Sequence, residues 1–384
     1  MGSWQGLMEQ YEQAATGEVP RVVRRSEHSI SPNHIQPGVY LDLDEAAYHA
    51  IPALSNSGMK DLVISDLAYY DAHLAPDRPE REQKDCFDFG KAAHSRILEP
   101  ALFFERYVRR LEKSAVEDAL DTNEQLKAWL KEHDLKVSGN KVELVQRILE
   151  SGKPHPRIWE IEESAYGKKH AGKVFLDKAD ADAIEIMAAL VAADPYTKHL
   201  FVGGMPEVSF IVRDPETGVL LKARMDYVKD CATRDFKTFT NARRKPIAKA
   251  VADAMFYEGY FKQAVIYQTI RELAREQVLG GEIEIHGACS EEWRDGFLNT
   301  ENHTFGVLFV ESQRPFHMEF RELREREADG ADMNKYWLHA ETYMRTMINR
   351  YADCFDKYGD RPWREPAEPI TMTDSNFPQL AYEA

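Results

Sequence analysis

One change of hydrophobic rhythm constrains this chain more than any other feature. Residues 178–194 space their apolar side chains as a helix does, up to Pro195. Beyond it, Val208, Phe210 and Val212 alternate with Ser209, Ile211 and Arg213, the two-residue period of a strand. Asp214-Pro215-Glu216-Thr217-Gly218 is a tight-turn signal, and Val219 to Val228 returns as the second arm of a hairpin. Thr233 to Thr238 reads as a third strand, and one long helix is expected from about Ile247 to Glu276. With further strands at 282–288 and 305–311, the pattern predicts an α/β (α+β) fold: a mixed central sheet flanked by helices.

Upstream, Asp44 caps a short helix, and Ser55 or Ser57 caps a second that is expected to reach about His73. A third covers Phe89 to Leu98 and stops before Pro100. A last long helix spans 331–358. Residues 115–155 form a small helical unit. Thr122 and Gln125 fit a capping box, and Leu126, Trp129 and Leu130 follow at helical spacing. After the turn Ser138-Gly139-Asn140, a second helix is expected to carry Val142, Val145, Ile148 and Leu149 on one face. The predicted organisation is a flexible arm (1–37), a core in two parts (38–114 and 156–358), the inserted unit (115–155) and a tail (359–384).

Composition sets outer limits. The chain is 43% apolar and 30% charged, enough for a packed core. Its longest apolar-looking run, Ala183 to Ala193, is interrupted by Glu185. That falls short of the roughly 20 apolar residues that span a membrane. The first residues lack a basic stretch followed by an apolar one, so a cytoplasmic protein is expected. A net charge of −16 argues against a protein that simply coats nucleic acid. It leaves open an acidic, metal-binding site inside a locally basic groove. Cys86, Cys231, Cys289 and Cys354 form no CxxC pair, so buried reduced thiols are expected, and neither a zinc ribbon nor an iron–sulfur cluster.

The chemistry concentrates on the hairpin and the strand after it. Asp226 and Asp235 can meet at one hard divalent cation from neighbouring strands. Alternation puts Lys237 on the face of Asp235, where its amine can orient or help deprotonate a water attacking phosphorus. The Phe236 backbone carbonyl is a further oxygen. D-x-K alone is weak, since most such pairs are solvated surface charge. Its surroundings add weight: Gly90-x-x-x-His94 on a helix, Glu207 at the start of the hairpin, Arg224 two before Asp226, and Gln263 and Tyr267 at i and i+4. Taken singly, His94 also reads as a core histidine, and Gln263 with Tyr267 as a helix contact.

In this order, G-x-x-x-H, E, D, D-x-K and Q-x-x-x-Y resemble the RecB-like branch of the PD-(D/E)xK nuclease superfamily. Pro37-Gly38-Val39-Tyr40, Leu54-Ser55-Asn56-Ser57, Phe89 through Pro100 and Asp235-Phe236-Lys237-Thr238 resemble its RecE-like, exonuclease VIII family. The likeness covers about residues 37–112 and 175–312. It implies a restriction-endonuclease-like core and a magnesium-dependent exonuclease, with Mn²⁺ able to substitute. That enzyme degrades linear double-stranded DNA from the 5′ end, leaving 3′ overhangs for recombination. By position, His94, Asp226, Asp235 and the Phe236 carbonyl would bind metal, and Lys237 would activate the nucleophile. Gln263 and Tyr267 would steady the scissile strand, and Glu207 is a further acid. The PD of the family name is absent: Met225 precedes Asp226 and Arg234 precedes Asp235. A single-strand annealing recombinase partner, a homo-oligomeric ring and a bacterial or phage-encoded cytoplasmic protein are also implied, with no membrane partner.

The insertion resembles a SAP motif, a two-helix DNA-binding module whose G-x-K-x-E-L core stands here as Gly139 to Leu144. Lys136 and Lys141 are its expected DNA contacts. An ordinary helical hairpin bracing the core is the other reading. Arg243, Arg244 and Lys245 form an expected phosphate clamp or a solvated loop. Arg224 is a further expected DNA contact, and Ser57 is assigned to a 5′-phosphate. The alternatives to the exonuclease are another RecB-like nuclease, endonucleolytic or single-strand-specific, and a catalytically inactive DNA-binding scaffold.

Overall fold

The computed structural model describes residues 35–78, 89–301, 303–326 and 332–367, with 369 and 372. It begins with β1 (Gly38–Tyr40), α1 (Glu45–Ala50), α2 (Asn56–Ile64), α3 (Asp66–His73), α4 (Phe89–Leu98), α5 (Pro100–Arg106) and β2 (Tyr107–Arg109). The inserted unit holds α6 (Asn123–Glu132) and α7 (Lys141–Glu150). Then come α8 (Trp159–Lys169), β3 (Val174–Leu176), α9 (Lys178–Ala193), β4 (Met205–Arg213), β5 (Leu220–Val228) and β6 (Ala232–Phe239). The chain continues with α10 (Ile247–Tyr257), α11 (Tyr260–Leu279), β7 (Glu284–His286), α12 (Glu291–Asn299), β8 (Thr304–Glu311), β9 (Met318–Leu323) and α13 (Lys335–Tyr358). Residues 1–34 of the expected arm, most of the expected tail and Cys86 lie outside the described residues.

The sheet order is β7-β1-β4-β5-β6-β8-β9. It is mixed: β1/β7 and β6/β8 run parallel, and the other neighbours run antiparallel. One face, with Phe210, Leu221 and Met225, packs against Ile266 and Ile270 of α11 and Met344 and Ile348 of α13. The other, with Phe236, Leu308 and Val310, packs against Ala92 and Ala93 of α4 and Ile184 and Met187 of α9. Helices therefore cover both faces, as the period pattern predicts.

Local chemistry explains where the expected helices end differently. Ser55 caps α2 by accepting from the Gly58 N–H at 3.2 Å. Ser65 then takes an extended backbone (φ −173°) and caps α3 by accepting from the Ala68 N–H at 3.0 Å. The single helix expected to His73 is thus two. Likewise Gly259, with φ +70°, divides the helix expected over 247–276 into α10 and α11. In the inserted unit both N-termini carry capping boxes, and Leu126, Leu130, Leu144, Ile148 and Ile158 form its core. The expected apolar face on α7 is shifted. Leu144 and Ile148, one turn apart, face α6, while Val142 is 75% exposed and Leu149 46%.

The cysteine expectation needs correction: Cys354 is buried, Cys289 half-buried and Cys231 exposed. Among the described residues, no helix is long and apolar enough to cross a membrane.

A buried histidine gives the fold a pH dependence. His303 lies under α11, and its ring nitrogens have no hydrogen-bond partner among the described residues. Burial, then the charges of Arg271 and Arg275, push its pKa down to about 3. The unfolded chain binds a proton near pH 6.5 that the folded protein refuses until about pH 3. The stability from the neutral ring is therefore complete above that upper value and is lost as pH falls below it. The slope is at most about 1.4 kcal/mol per pH unit. Thermal melts from pH 7 to 4 should fall more steeply for the wild type than for His303→Gln; parallel curves would clear His303 of this role.

Candidate active site

Strand β5 divides its residues between two environments. Leu221, Ala223 and Met225 enter the core beside α11, while Lys222, Arg224 and Asp226 alternate with them on the opposite face. The alternation then slips. Met225 and Val228 pack in the same cluster although three residues apart, as do Met205 and Val208 on β4. Between them, Glu207 adopts φ +54°, a left-handed backbone rare for a side chain of its size. Glu207 stands opposite Asp226 in the register set by Pro206↔Tyr227 and Val208↔Met225, without pairing. The irregularity aims both acids into one space, a role known for strand bulges beside active sites.

Strands β5 and β6 pair only at Tyr227↔Arg234 and Val228↔Thr233, then open as a fork. Asp226 sits in the opening, and its Oδ2 accepts from the Phe236 N–H at 2.8 Å. In a strand the N–H and C=O of one residue face the same side. The Phe236 carbonyl therefore also opens on the fork.

His94 reaches the fork from α4. Buried Ala92 and Ala93 seat that helix, and Arg96 ties it to α9 through two 2.9 Å hydrogen bonds to Glu185. His94 Nε2 lies 3.2 Å from Asp226 Oδ2, and Nδ1 lies 3.4 Å from Glu207 Oε1. Burial works against an imidazolium there. The charge and hydrogen bond of Asp226, with the charge of Glu207, outweigh it and raise the His94 pKa to about 9. Glu207 Oε2 in turn accepts from Arg224 Nε at 2.5 Å. The other Arg224 contacts are the Leu43 carbonyl at 2.8 Å and Ser209 Oγ at 3.0 Å.

The other wall of the fork comes from β6 and α11. Lys237 Nζ lies 2.7 Å from Asp235 Oδ2 and 3.7 Å from Asp226 Oδ2. Gln263 Nε2 donates to Asp235 Oδ1 at 3.1 Å. Burial disfavours every charge here. For Asp226 it is outweighed by Lys237, His94 and the Phe236 N–H, so that carboxyl is held far below its usual range. For Asp235, burial and the Asp226 charge together raise the pKa against the pull of Lys237. Lys237 loses to burial but gains more from the two aspartates, and is held above its usual value. Its ammonium also faces the Tyr260 ring at 5.5 Å, a contact that sequence reasoning did not single out. The signal was present in the aromatic three residues before Gln263. Tyr267, also pushed up by burial, lies one turn beyond Gln263.

His94, Glu207 and Asp226 each offer a ligand atom, all within 4.8 Å of one another. One imidazole and two carboxylates suit a divalent cation such as Mg²⁺ or Mn²⁺. Asp235, expected as a ligand, stands beside this trio with both oxygens engaged by Lys237 and Gln263.

A cleft of about 260 Å³ opens beside Asp226 and Glu207. Ser55, Asn56 and Ser57 at the start of α2 line it, with Arg224 and Tyr267. Lys222 also lines it, but its ammonium is turned to the Tyr48, His49 and Ile51 carbonyls at 3.0, 3.3 and 2.7 Å. The remaining expected DNA contacts lie outside the fork. Lys245 pairs with Asp253 at 2.5 Å, and Arg243 and Arg244 are exposed on the turn before α10. Lys136 is exposed, whereas Lys141 is held by Glu160 and by Asp121 at 3.5 Å.

A mixed sheet whose open fork gathers two aspartates, a lysine two residues after the second and a histidine from a flanking helix is a PD-(D/E)xK-type core. The model of the family described as PDDEXK-like domain of unknown function (DUF3799) matches residues 55–285. That is more than half of the chain, and the chain belongs to this family. No curated protein matches it. Among solved structures, a candidate exonuclease from Eubacterium rectale is similar at 16% identity and a TM-score of 0.37, over 85% of this chain and 92% of that one.

Proposed function

We propose that the protein is a Mg²⁺-dependent exonuclease that degrades one strand of linear double-stranded DNA from its 5′ end. The observation that carries this is the fork: His94, Glu207 and Asp226 within ligand distance of one another, and Lys237 against both aspartates. His94, Glu207 and Asp226 hold the divalent cation, with Asp235 and the Phe236 carbonyl as further oxygens across the fork. When bound, that ion offsets charge on the phosphate undergoing attack. Arg224 aims Glu207 through their 2.5 Å hydrogen bond. Lys237, favoured as an ammonium, orients the attacking water and stabilises negative charge growing on the phosphate oxygens. Gln263 fixes Asp235, and Tyr267 walls the scissile strand.

The serine-lined cleft beside the fork supports 5′-end capture. Ser57 is exposed at its lip and is free of the core packing that buries Gly58 and Met59. The SAP-like unit adds a second duplex contact through Lys136. Its net charge is only mildly acidic, and Lys141 supplies less because Asp121 and Glu160 already hold it. A ring of copies, a strand-annealing partner and a bacterial or phage-encoded cytoplasmic setting complete this reading.

The test uses linear duplexes labelled at one 5′ end, with and without a 5′-phosphate, beside a closed circle, in Mg²⁺ or EDTA. Mg²⁺-dependent loss of the linear duplex alone from the 5′ end is the expected result. Ser57→Ala should slow the phosphorylated substrate about tenfold and the other little, the worth of one hydrogen bond to a charged group. A cut circle would instead make the protein an endonuclease, digestion of single strands alone a single-strand nuclease, and binding without cleavage a scaffold.

A further inference from the structure

Helix α10 has two unlike ends. From Phe236 to Ala252 the chain has no acid and carries Lys237, Arg243, Arg244, Lys245 and Lys249, in a protein of net charge −16. Asp253 pairs with Lys245 and Lys249, and the two arginines remain exposed on the turn. At the far end, Phe256 and Tyr257 are 66% and 77% exposed. Apolar surface this open gains free energy from any partner that covers it.

The aromatic pair is held in place. The Phe256 ring stacks on Phe261 at 6.1 Å and meets Tyr257 edge-on at 5.3 Å. The Lys60 ammonium donates to the Glu258 carbonyl at 2.8 Å, clamping α2 to the kink at Gly259. Val63 and Ile64 share the helix face of Lys60 and are 56% and 75% exposed, extending the apolar surface. The same kink delivers Tyr260 to Lys237 and Gln263 to Asp235. The exposed rings therefore sit four and three residues before the tyrosine that faces Lys237.

The charge pattern selects the occupant. A second copy would also cover the rings, but a two-fold contact between identical patches sets Arg243 and Arg244 against their own copies. A nucleic acid strand uses both, since its phosphates follow cations and every base has a face that stacks on an aromatic ring. From Lys249 to Tyr257 the helix rises about 12 Å, the length of roughly three to four stacked nucleotides. We infer that Phe256 and Tyr257 form a stacking platform for unpaired nucleobases at a DNA end, whose backbone follows the Arg243–Lys249 stretch toward the fork. The inference rests on the nuclease reading and deepens it. It makes an end with unpaired bases, rather than a closed blunt duplex, the form that binds best.

The experiment measures binding in EDTA, where nothing is cut. One DNA is a duplex with a short single-stranded tail carrying 2-aminopurine, and the other is the blunt duplex. Wild-type protein should quench the tail fluorophore. Phe256→Ala/Tyr257→Ala should weaken tailed binding about tenfold or more and blunt binding less than threefold. Phe256→Trp/Tyr257→Trp should keep tailed affinity. Thermal melts confirm that these surface variants are folded. Equal loss on both DNAs, or no loss, overturns the platform. So does sedimentation showing a wild-type assembly that the alanine pair disperses with tail affinity intact, which makes the patch an interface between copies. Cleavage of linear duplex in Mg²⁺ is scored separately. A wild type that cleaves but ignores the rings defeats the platform alone, and one that binds through the rings but never cleaves defeats the nuclease reading alone.

Discussion

Replacing Lys237 by alanine should lower turnover on linear duplex DNA about 10²- to 10³-fold while leaving duplex affinity within about threefold. The magnitude follows from removing one preorganised charged donor from a water-poor site. The direction follows from geometry: Nζ is 2.7 Å from Asp235 and 3.7 Å from Asp226, with a Tyr260 ring on another side. The amine is fixed before substrate arrives, so its loss acts on the transition state rather than on ground-state binding. Lys237→Arg should not restore activity. A planar guanidinium directs its charge over a fork rather than a point, and this slot is built for a compact ammonium. Single-turnover rates in Mg²⁺ and affinities in EDTA separate the two effects. Unchanged turnover in Lys237→Ala would remove the residue from the mechanism.

The largest expected loss of stability comes from Lys222→Met. Lys222 is 6% exposed, and its ammonium donates to the Tyr48, His49 and Ile51 carbonyls at the C-terminal end of α1. The Tyr48 and Ile51 carbonyls also accept the Ile51 and Ala53 N–H groups, but carbonyls at a helix end keep lone pairs to spare, and the peptide dipoles there favour a cation. Methionine keeps the apolar stem and removes the charge, leaving the carbonyls facing a gap they cannot solvate. Leaving buried acceptors without that donor costs about 1–3 kcal/mol. Urea unfolding should show a lower midpoint with an unchanged slope. A loss below about 1 kcal/mol would mean that water can replace the ammonium. Activity should suffer as well, because residues 51–55 connect α1 to the serine-lined lip of the cleft.

Much of this architecture could be read without coordinates because its causes are local. The 208–228 hairpin needs only alternation and the Asp214–Gly218 turn. In the structure, Thr217 N–H and hydroxyl both bond the Asp214 carboxylate, at 2.9 and 2.6 Å. The capping boxes at Thr122 and Asn140 are equally local. Other features had no local signal. Strand β1 has three residues, too short for any period, and exists because β4 offers it an edge, while the strand expected over 282–288 keeps only the three residues that pair with β1. Strand β9 follows the same logic against β8. Ser65 and Gly259 break helices whose apolar spacing continues across them, since periodicity records which face is buried and not whether the axis is straight.

The family of chemistry is legible in the order of residues alone: two aspartates nine residues apart on adjacent strands, a lysine two beyond, and a histidine on an earlier helix. Bond geometry forces such residues toward one sheet end once the strands form. How they are shared depends on packing in three dimensions. The slip at Glu207 brings that acid beside His94 and Asp226, while Asp235 turns to Lys237 and Gln263. Packing also committed Lys222 to α1, Arg224 to Glu207 and Lys141 to Asp121 and Glu160, three cations that the sequence could equally have offered to DNA. The reason is that a charge is assigned by whichever opposite partner lies within a few ångströms in low dielectric, and that distance belongs to the fold rather than to the chain.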